Sequence, residues 1–133
     1  MSLINPKQVG EVSEANIIAA LMNKGYSISK PIGDNQRYDL IIDIESKLYR
    51  IQCKTGRKEG NRITFPVCSV RVNKSGYKIQ NYDGQIEFFA VWCKELSKAY
   101  LIPKDKINVK REASIYLDSN RLNCIKAVDY ILS

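Results

Sequence analysis

The chain has 133 residues, of which 44% are hydrophobic and 26% are charged, and its formal net charge is +7. This length suits one domain with a real core over residues 1–133, and it excludes two such domains. The positive charge favours a polyanionic partner, nucleic acid before membrane, and the lack of histidine excludes mechanisms that use imidazole as a base or metal ligand.

The first predicted element is a helix that Asn5 caps and Gly25 ends. Its apolar stripe comprises Ile17, Ile18 and Leu21. Glu14 lies in line with this stripe, where a carboxylate is costly unless it is paired, hydrogen-bonded or bound to a cation. If the first turns of the helix overhang the core, Glu14 is simply solvated. Glu11, three residues earlier, is a fallback for the same site.

Strand-like segments follow the helix, and most have the alternating or β-branched pattern of a half-buried sheet. In chain order they are Tyr26–Lys30, Tyr38–Ile44, Lys47–Lys54, Ile63–Phe65, Ser69–Val72, "IEFFAVWC", "KAYLIP" and "SIYL". A short terminal helix is predicted over Leu122–Ile131. The order of elements indicates a mixed α/β (α+β) domain whose sheet is covered by the first helix.

Three polar side chains occupy strand positions where a sheet needs hydrophobic ones: Asp39, Gln52 and Lys54. Alternation places Gln52 and Lys54 on one face, and antiparallel pairing brings Asp39 to the same end of the sheet. A helix laid over that face would add Glu14. Because oxygen ligands suit Mg²⁺, we predict a Mg²⁺ site at Glu14, Asp39 and Gln52, with Mn²⁺ as a substitute. Lys54 would polarise the attacking water or stabilise charge on a phosphoryl oxygen.

These residues resemble a known nuclease pattern. Asp39 followed by Gln52-Cys53-Lys54, and preceded by "GEVSE", resembles the PD-(D/E)XK nuclease superfamily over Gly10 to Arg57. The segments "KPIGDNQRYDLIID", "RIQCKTGR" and "FFAVWCKELSKAYLIP" resemble the branch that contains bacterial group I intron homing endonucleases. The resemblance implies a restriction-endonuclease-like core, with a mixed central sheet flanked by helices. It also implies acidic metal-site roles for Glu14 and Asp39, the acid position of the motif for Gln52, and the role of catalytic lysine for Lys54.

The chain departs from the superfamily pattern at two positions. Tyr38 stands where the name-giving proline is expected, although that proline is commonly replaced. Gln52 replaces an acid, so its carbonyl can still ligate but brings no negative charge. Metal affinity should therefore fall, and a second ion is harder to hold. The homing-endonuclease branch carries glutamine there, which favours an active enzyme.

A basic segment follows the predicted catalytic strand. Its six cationic residues are predicted to contact DNA: Arg57, Lys58, Arg62, Arg71, Lys74 and Lys78. Base-edge contacts by Arg62 or Arg71 in a major groove would supply specificity, although each cation taken singly is equally a solvated surface charge. Tyr77 and Tyr82, within the same segment, are predicted to be packing residues.

Several patterns are missing from the chain. No stretch approaches the roughly 20 apolar residues of a membrane helix, and no signal-peptide pattern opens the chain, so we expect a soluble cytoplasmic protein without a membrane partner. No glycine-rich phosphate-binding motif occurs, so we expect no nucleotide cofactor. The cysteines are too far apart for a C-x-x-C site and are predicted to be reduced packing residues.

The preferred hypothesis is a Mg²⁺-dependent endonuclease that cuts double-stranded DNA, sequence-specific and of the intron-homing type. Cutting both strands calls for at least a homodimer, and the resemblance suggests a homotetramer. A Holliday junction resolvase-like nuclease is the first alternative, but that group normally keeps glutamate where Gln52 stands. The second alternative is a non-catalytic DNA-binding protein on a nuclease scaffold, which would bind DNA in a salt-sensitive manner without cutting it.

Overall fold

A computed structural model describes residues 5–118 and 122–132. The elements are α1 Pro6–Asn23, β1 Ser27–Ser29, β2 Leu40–Ile44, β3 Lys47–Glu59, β4 Arg62–Pro66, β5 Ser69–Asn73, β6 Gly76–Gln80, β7 Phe88–Cys93, β8 Lys98–Pro103 and β9 Glu112–Tyr116, with 3₁₀ turns at Lys104–Lys106 and Ala127–Tyr130. The predicted first helix and the predicted hairpin of β7 and β8 are therefore confirmed. Within the described residues, no helix has the length and apolar character needed to cross a membrane.

Helix α1 begins and ends where its sequence predicts. The Asn5 side chain accepts a hydrogen bond from the Gln8 N–H at 2.9 Å, and the Gln8 side chain accepts one from the Asn5 N–H at 3.1 Å. This reciprocal pair satisfies two amide groups that the first helical turn leaves without partners. At the other end, Gly25 adopts a φ of +94°, which glycine tolerates better than other residues, and the chain leaves the helix.

The central sheet has seven strands and is mixed. Strands β1, β2, β3, β4 and β9 pair antiparallel in that order, while β7 pairs parallel with β3 and antiparallel with β8. Strand β3 is 13 residues long and continues past Lys54, where its predicted end lay, to Glu59. The prediction was wrong because the basic residues after Lys54 look like a loop, whereas pairing of β3 with β4 keeps them extended.

Two apolar clusters lie on opposite faces of this sheet. One joins α1 to the sheet and includes Ile17, Leu21, Leu40, Ile42 and Ile51. The other lies on the face away from α1 and includes Phe65, Tyr82, Phe89, Val91 and Ile115. Burial on both faces makes the centre of the sheet the core of the protein.

Gly56 lies at the point where β3 leaves its parallel partner β7 and begins to pair with β4. A Cβ atom at Gly56 would lie 2.7 Å from Ile63 Cγ2 and 2.7 Å from Val91 Cγ1. Contacts this short force neighbouring atoms to move. A residue without a side chain therefore lets β4 pack closely against the central strands.

Strands β5 and β6 form a separate two-stranded hairpin, which we call the ribbon. Cross-strand pairing sets Arg71 opposite Lys78 on one face, and Val72 opposite Tyr77 on the other. The predicted strand over Ser69–Val72 is confirmed, whereas β6 was not predicted. Tyr77 is 67% exposed, so its prediction as a packing residue is wrong, while the buried Tyr82 confirms its own.

The C-terminal segment does not form the helix predicted over Leu122–Ile131. Among its described residues there is one 3₁₀ turn, Ala127–Tyr130, and isolated bridges join Lys126 to Tyr116 and Ile131 to Tyr100. Leu122 and Val128 are exposed, so this segment has no continuous apolar stripe that a helix could bury.

Candidate active site

Asp39 immediately precedes Leu40, the first residue of β2, at the fork where the pairing of β2 with β3 stops and β3 continues. Its own N–H donates to the Ile51 carbonyl at 2.8 Å, and its carboxylate Oδ2 accepts from the Cys53 N–H at 2.9 Å. The Asp39 carboxylate thus accepts the Cys53 N–H in place of a main-chain carbonyl, because the pairing of β2 with β3 has ended here. Because both bonds are to the backbone of β3, the carboxylate is fixed at the end of the sheet.

Glu14 reaches the same end of the sheet from α1. The hydroxyl groups of the buried Ser13 and of Thr55 are joined by a 2.6 Å hydrogen bond, which ties this turn of the helix to β3. Glu14 Oε2 accepts a hydrogen bond from Lys30 Nζ at 2.9 Å, and this bond, together with the charge of Glu14, raises the pKa of Lys30. Glu14 is therefore paired and partly covered, as its place in the apolar stripe predicts, and is not fully solvated.

Ligand atoms of Glu14, Asp39 and Cys53 all lie within 4.8 Å of one another. Burial and the neighbouring Glu14 charge raise the pKa of Asp39, against the Cys53 N–H bond and the positive charges of Lys54 and Lys30. Burial also raises the pKa of the Cys53 thiol well above its usual range, and the charges of the two carboxylates add to this. Cys53 therefore keeps its proton at neutral pH.

Gln52 and Lys54 lie on the face of β3 opposite α1. Ile51 packs against α1 and Thr55 bonds to it, so the side chains between them alternate to the other side. The prediction that α1 covers the face of Gln52 and Lys54 is wrong, because the helix buries the odd-numbered positions of this strand. The last register pair of β2 and β3 is Leu40 with Ile51, and one step beyond it Gln52 lies beside Asp39.

Lys54 is held on this second face by two acceptors. Its Nζ donates to the Tyr82 hydroxyl at 3.0 Å and to the Cys68 carbonyl at 3.3 Å. No hydrogen bond joins it to Asp39, but its positive charge lowers the pKa of that carboxyl against the larger effect of burial. Asp39 thus lies with Glu14 and Cys53, whereas Lys54, on the other face, acts on it through its charge.

Comparison with known proteins identifies the family. The model of the PD-(D/E)XK endonuclease family matches residues 4–130. The chain belongs to the PD-(D/E)XK endonuclease family. A similar solved structure is that of a bacterial homing endonuclease, I-Ssp6803I, with a TM-score of 0.79 and 23% identity over 96% of this chain and 89% of that chain. This similarity confirms the predicted restriction-endonuclease-like fold. No curated protein sequence matches the chain.

The cations that were predicted to contact DNA in this PD-(D/E)XK protein differ in their partners. Arg57 pairs with Glu59 at 2.8 Å and with Glu112 at 3.8 Å, and Arg62 pairs with Glu59 at 3.7 Å. Lys58 is exposed on the same hairpin. On the ribbon, the exposed residues are Arg71, Lys74 and Lys78. No salt bridge is found for these three within residues 5–118 and 122–132.

Sequence reasoning missed four residues around the fork of this endonuclease fold: Lys30, Arg37, Cys53 and Tyr82. Lys30 and Arg37 stand within the segment "KPIGDNQRYDLIID", whose resemblance to nucleases was the available signal. A cleft of about 190 Å³ beside the fork is lined in part by Glu14, Lys30 and Asp39. Glu11, the fallback ligand, is exposed and lies outside the three-residue cluster.

Proposed function

We propose that this protein is a metal-dependent endonuclease that hydrolyses phosphodiester bonds in double-stranded DNA. The observation that carries the proposal is the convergence of Glu14 and Asp39 at the fork of the sheet, with the charge of Lys54 acting on Asp39. Membership of the PD-(D/E)XK endonuclease family supports the same reaction class. The lack of histidine leaves carboxylates, an amide, a lysine and a metal ion as the reagents.

The chemistry of the donors fits a hard divalent cation. Two carboxylates that crowd one another in a partly buried place are stabilised by a cation between them, and oxygen ligands of this kind suit Mg²⁺ or Mn²⁺. Glu14 and Asp39 would hold the ion, with the Gln52 carbonyl as a further ligand. The Cys53 thiol keeps its proton and is a poor ligand for Mg²⁺. When bound, Mg²⁺ would supply Lewis-acid activation of water and neutralise phosphate charge.

Asp39, Lys54 and Gln52 would have different roles in the reaction. Asp39 is kept in place by the Cys53 N–H, so its carboxylate needs no reorganisation when DNA binds. Lys54 would place a compact ammonium against the phosphoryl oxygens, where negative charge builds during hydrolysis. Because Gln52 is uncharged, the protein ligands carry two negative charges, which favours one metal ion over two.

We infer that the ribbon reads DNA, because it consists of two strands and carries exposed cations. A two-stranded ribbon fits the major groove, which is about 12 Å wide. Arg71 and Lys78, which are paired on one face, would contact base edges there. Lys74 at the turn, with Arg57, Lys58 and Arg62 on the β3–β4 hairpin, would contact phosphates. This arrangement supports sequence-specific cutting, and the similarity to I-Ssp6803I supports the homing type.

Double-strand cutting requires more than one copy of the chain. The described residues form one candidate active site, so two strands of opposite polarity need two chains related by a twofold axis. We propose a homodimer or a homotetramer built from such dimers. Sedimentation velocity of the DNA complex would distinguish these two states from a monomer.

The test of the proposed function is cleavage of a library of linear duplexes and four-way junctions in Mg²⁺, with sequencing of the ends. Lys54→Ala should reduce the cleavage rate by roughly 10³-fold because it removes the ammonium that stabilises the transition state, and Asp39→Asn should do so because it removes a charged metal ligand. DNA affinity in Ca²⁺ should change little. Lys47→Ala is the matched control, since Lys47 is an exposed lysine at the other end of the same strand.

Other outcomes would overturn parts of the proposal. Cleavage of four-way junctions but not of linear duplexes would favour a junction resolvase. Salt-sensitive DNA binding without cleavage in Mg²⁺ or Mn²⁺ would indicate a non-catalytic DNA-binding protein. Cleavage by Lys54→Ala at the rate of Lys47→Ala would remove Lys54 from the reaction.

A further inference from the structure

At the open end of the ribbon, the ammonium of Lys54 is bound by a tyrosine that is not among the proposed metal ligands. Tyr82 accepts a hydrogen bond from Lys54 Nζ at 3.0 Å, and the same ammonium lies 4.8 Å from the centre of the Tyr82 ring. The Cys68 carbonyl, one residue before β5, is the second acceptor at 3.3 Å. An ammonium has three N–H donors, so these two bonds leave one donor for a phosphoryl oxygen or a water molecule.

Tyr82 is itself held rigidly. Its side chain is buried, with 2% exposure, and its ring packs edge-on against Phe89 with centroids 5.7 Å apart. On the ring face, the Arg37 guanidinium carbon lies 4.2 Å from the centroid, a cation–π distance. The hydroxyl group of Tyr82 therefore has a fixed position relative to the sheet.

Arg37 connects Tyr82 to both strands of the ribbon at its open end, opposite the turn. Its Nε donates to Gln85 Oε1 at 3.0 Å, one terminal nitrogen donates to Ser69 Oγ at 2.9 Å, and the other donates to the Asn81 carbonyl at 3.0 Å. Ser69 begins β5, and Asn81 follows the last residue of β6. A planar guanidinium is needed to make three such bonds while stacking on a ring, which a lysine could not do.

We propose that Tyr82 is a positioning residue that fixes the Lys54 ammonium for the reaction, and that Arg37 holds Tyr82 in place; this rests on the proposed nuclease function. A lysine side chain has a flexible stem that is rich in rotamers, and holding its ammonium beforehand removes the cost of ordering it when DNA binds. The Tyr82 hydroxyl and the Cys68 carbonyl aim the remaining N–H. The ring of Tyr82 packs in the core, and its hydroxyl group holds the Lys54 ammonium.

The test is Tyr82→Phe, which removes the hydroxyl group and keeps the ring. Loss of one hydrogen bond to a charged group should lower kcat roughly 10- to 100-fold. KM, DNA affinity in Ca²⁺ and Tm should stay at the values of the control Tyr100→Phe, a change at a second buried tyrosine of the same apolar cluster. The ¹⁵Nζ signal of Lys54 should show faster proton exchange in Tyr82→Phe than in the wild type or in the control.

The outcomes separate this inference from the proposed function. Normal kcat and an unchanged Lys54 signal in Tyr82→Phe would overturn the positioning role while the nuclease stands. A wild-type protein that cuts no DNA would overturn the proposed function, and the Lys54 exchange rate would then still test the positioning. If Tyr82→Phe fails to fold, Arg37→Met provides the second test: it should lower kcat and speed Lys54 exchange, and normal values in that variant would overturn the inference.

Discussion

Two hairpins of this protein, β3–β4 and the ribbon, each carry three of the cations that were predicted to contact DNA, but in different environments. The β3–β4 hairpin is part of the seven-stranded sheet, and its Arg57 and Arg62 are paired with glutamates. The ribbon of β5 and β6 stands apart from that sheet, and no ion pair to Arg71 or Lys78 is found in the described part of the chain. A cation that is already paired must leave its carboxylate to bind a phosphate. Net charge therefore overstates the number of cations available to DNA.

The largest difference expected between the two hairpins is in their contribution to DNA affinity. Arg71→Ala combined with Lys78→Ala should weaken DNA binding about 100-fold, because unpaired cations release counterions and contact bases at no internal cost. Arg57→Ala combined with Arg62→Ala should weaken binding only a few-fold, since each arginine gives up a glutamate partner when it binds DNA.

Fluorescence anisotropy with a labelled duplex, in Ca²⁺ and at several salt concentrations, measures both double variants. Each variant removes two positive charges, so the pair is matched in net charge. Equal losses of affinity in the two variants would show that the glutamate partners do not hold back Arg57 and Arg62, and the distinction between the hairpins would fail.

A second prediction concerns the junction that joins the β3–β4 hairpin to the core. Gly56→Ala places a methyl group 2.7 Å from carbons of Ile63 and Val91, and should lower the free energy of unfolding by about 1–3 kcal/mol. Gly10→Ala is the control, since the position is helical with nothing within 4 Å of an added Cβ, and it should raise stability by roughly 0.5–1 kcal/mol. Urea unfolding followed by circular dichroism measures both, and a stabilised Gly56→Ala variant would contradict the close packing.

Sequence patterns predicted most of the central fold. The cap at Asn5, the stop at Gly25 and the β-branched and aromatic residues of β7 and β8 are local signals, and the structure confirms the elements that they predict. The β6 strand and the last five residues of β3 were missed because their extended form depends on a partner strand, not on local apolar pattern. The tail was predicted to contain a short helix, and its exposed Leu122 and Val128 show that no apolar face supports one.

The candidate site was only partly predictable from sequence. The positions of Glu14 and Asp39 followed from helix and strand periodicity, and their oxygens do converge. Which face α1 covers is decided by Ile51 and by the Ser13–Thr55 bond, since alternation gives two faces without saying which is buried. The contacts of Tyr82 depend on a fold-wide arrangement that no local pattern encodes.

The smallest expected effect concerns the ion pair between Arg50 and Glu87 in the central sheet. Arg50 of β3 donates through its N–H and its guanidinium to Glu87, which stands just before β7, and this bonding lowers the pKa of the Glu87 carboxyl. A depressed carboxyl pKa contributes stability above the unfolded-state pKa of about 4.3, and that contribution is lost as pH falls through the folded-state value. Because both side chains are more than a third exposed, solvent screens the pair, and Glu87→Gln should cost less than about 1 kcal/mol at pH 7.

Thermal unfolding of Glu87→Gln and of the control Glu11→Gln, at an exposed helical position, measures this contribution between pH 7 and pH 3. The deficit of Glu87→Gln relative to the wild type should shrink as the pH falls, because the wild-type carboxyl then becomes neutral as well. DNA affinity should not change in either variant, since Arg50 serves the sheet and not the DNA surface. A deficit that persists undiminished at pH 3 would assign the effect to lost hydrogen-bond geometry. A change in DNA affinity would show that Arg50, although paired with Glu87, also reaches the phosphates.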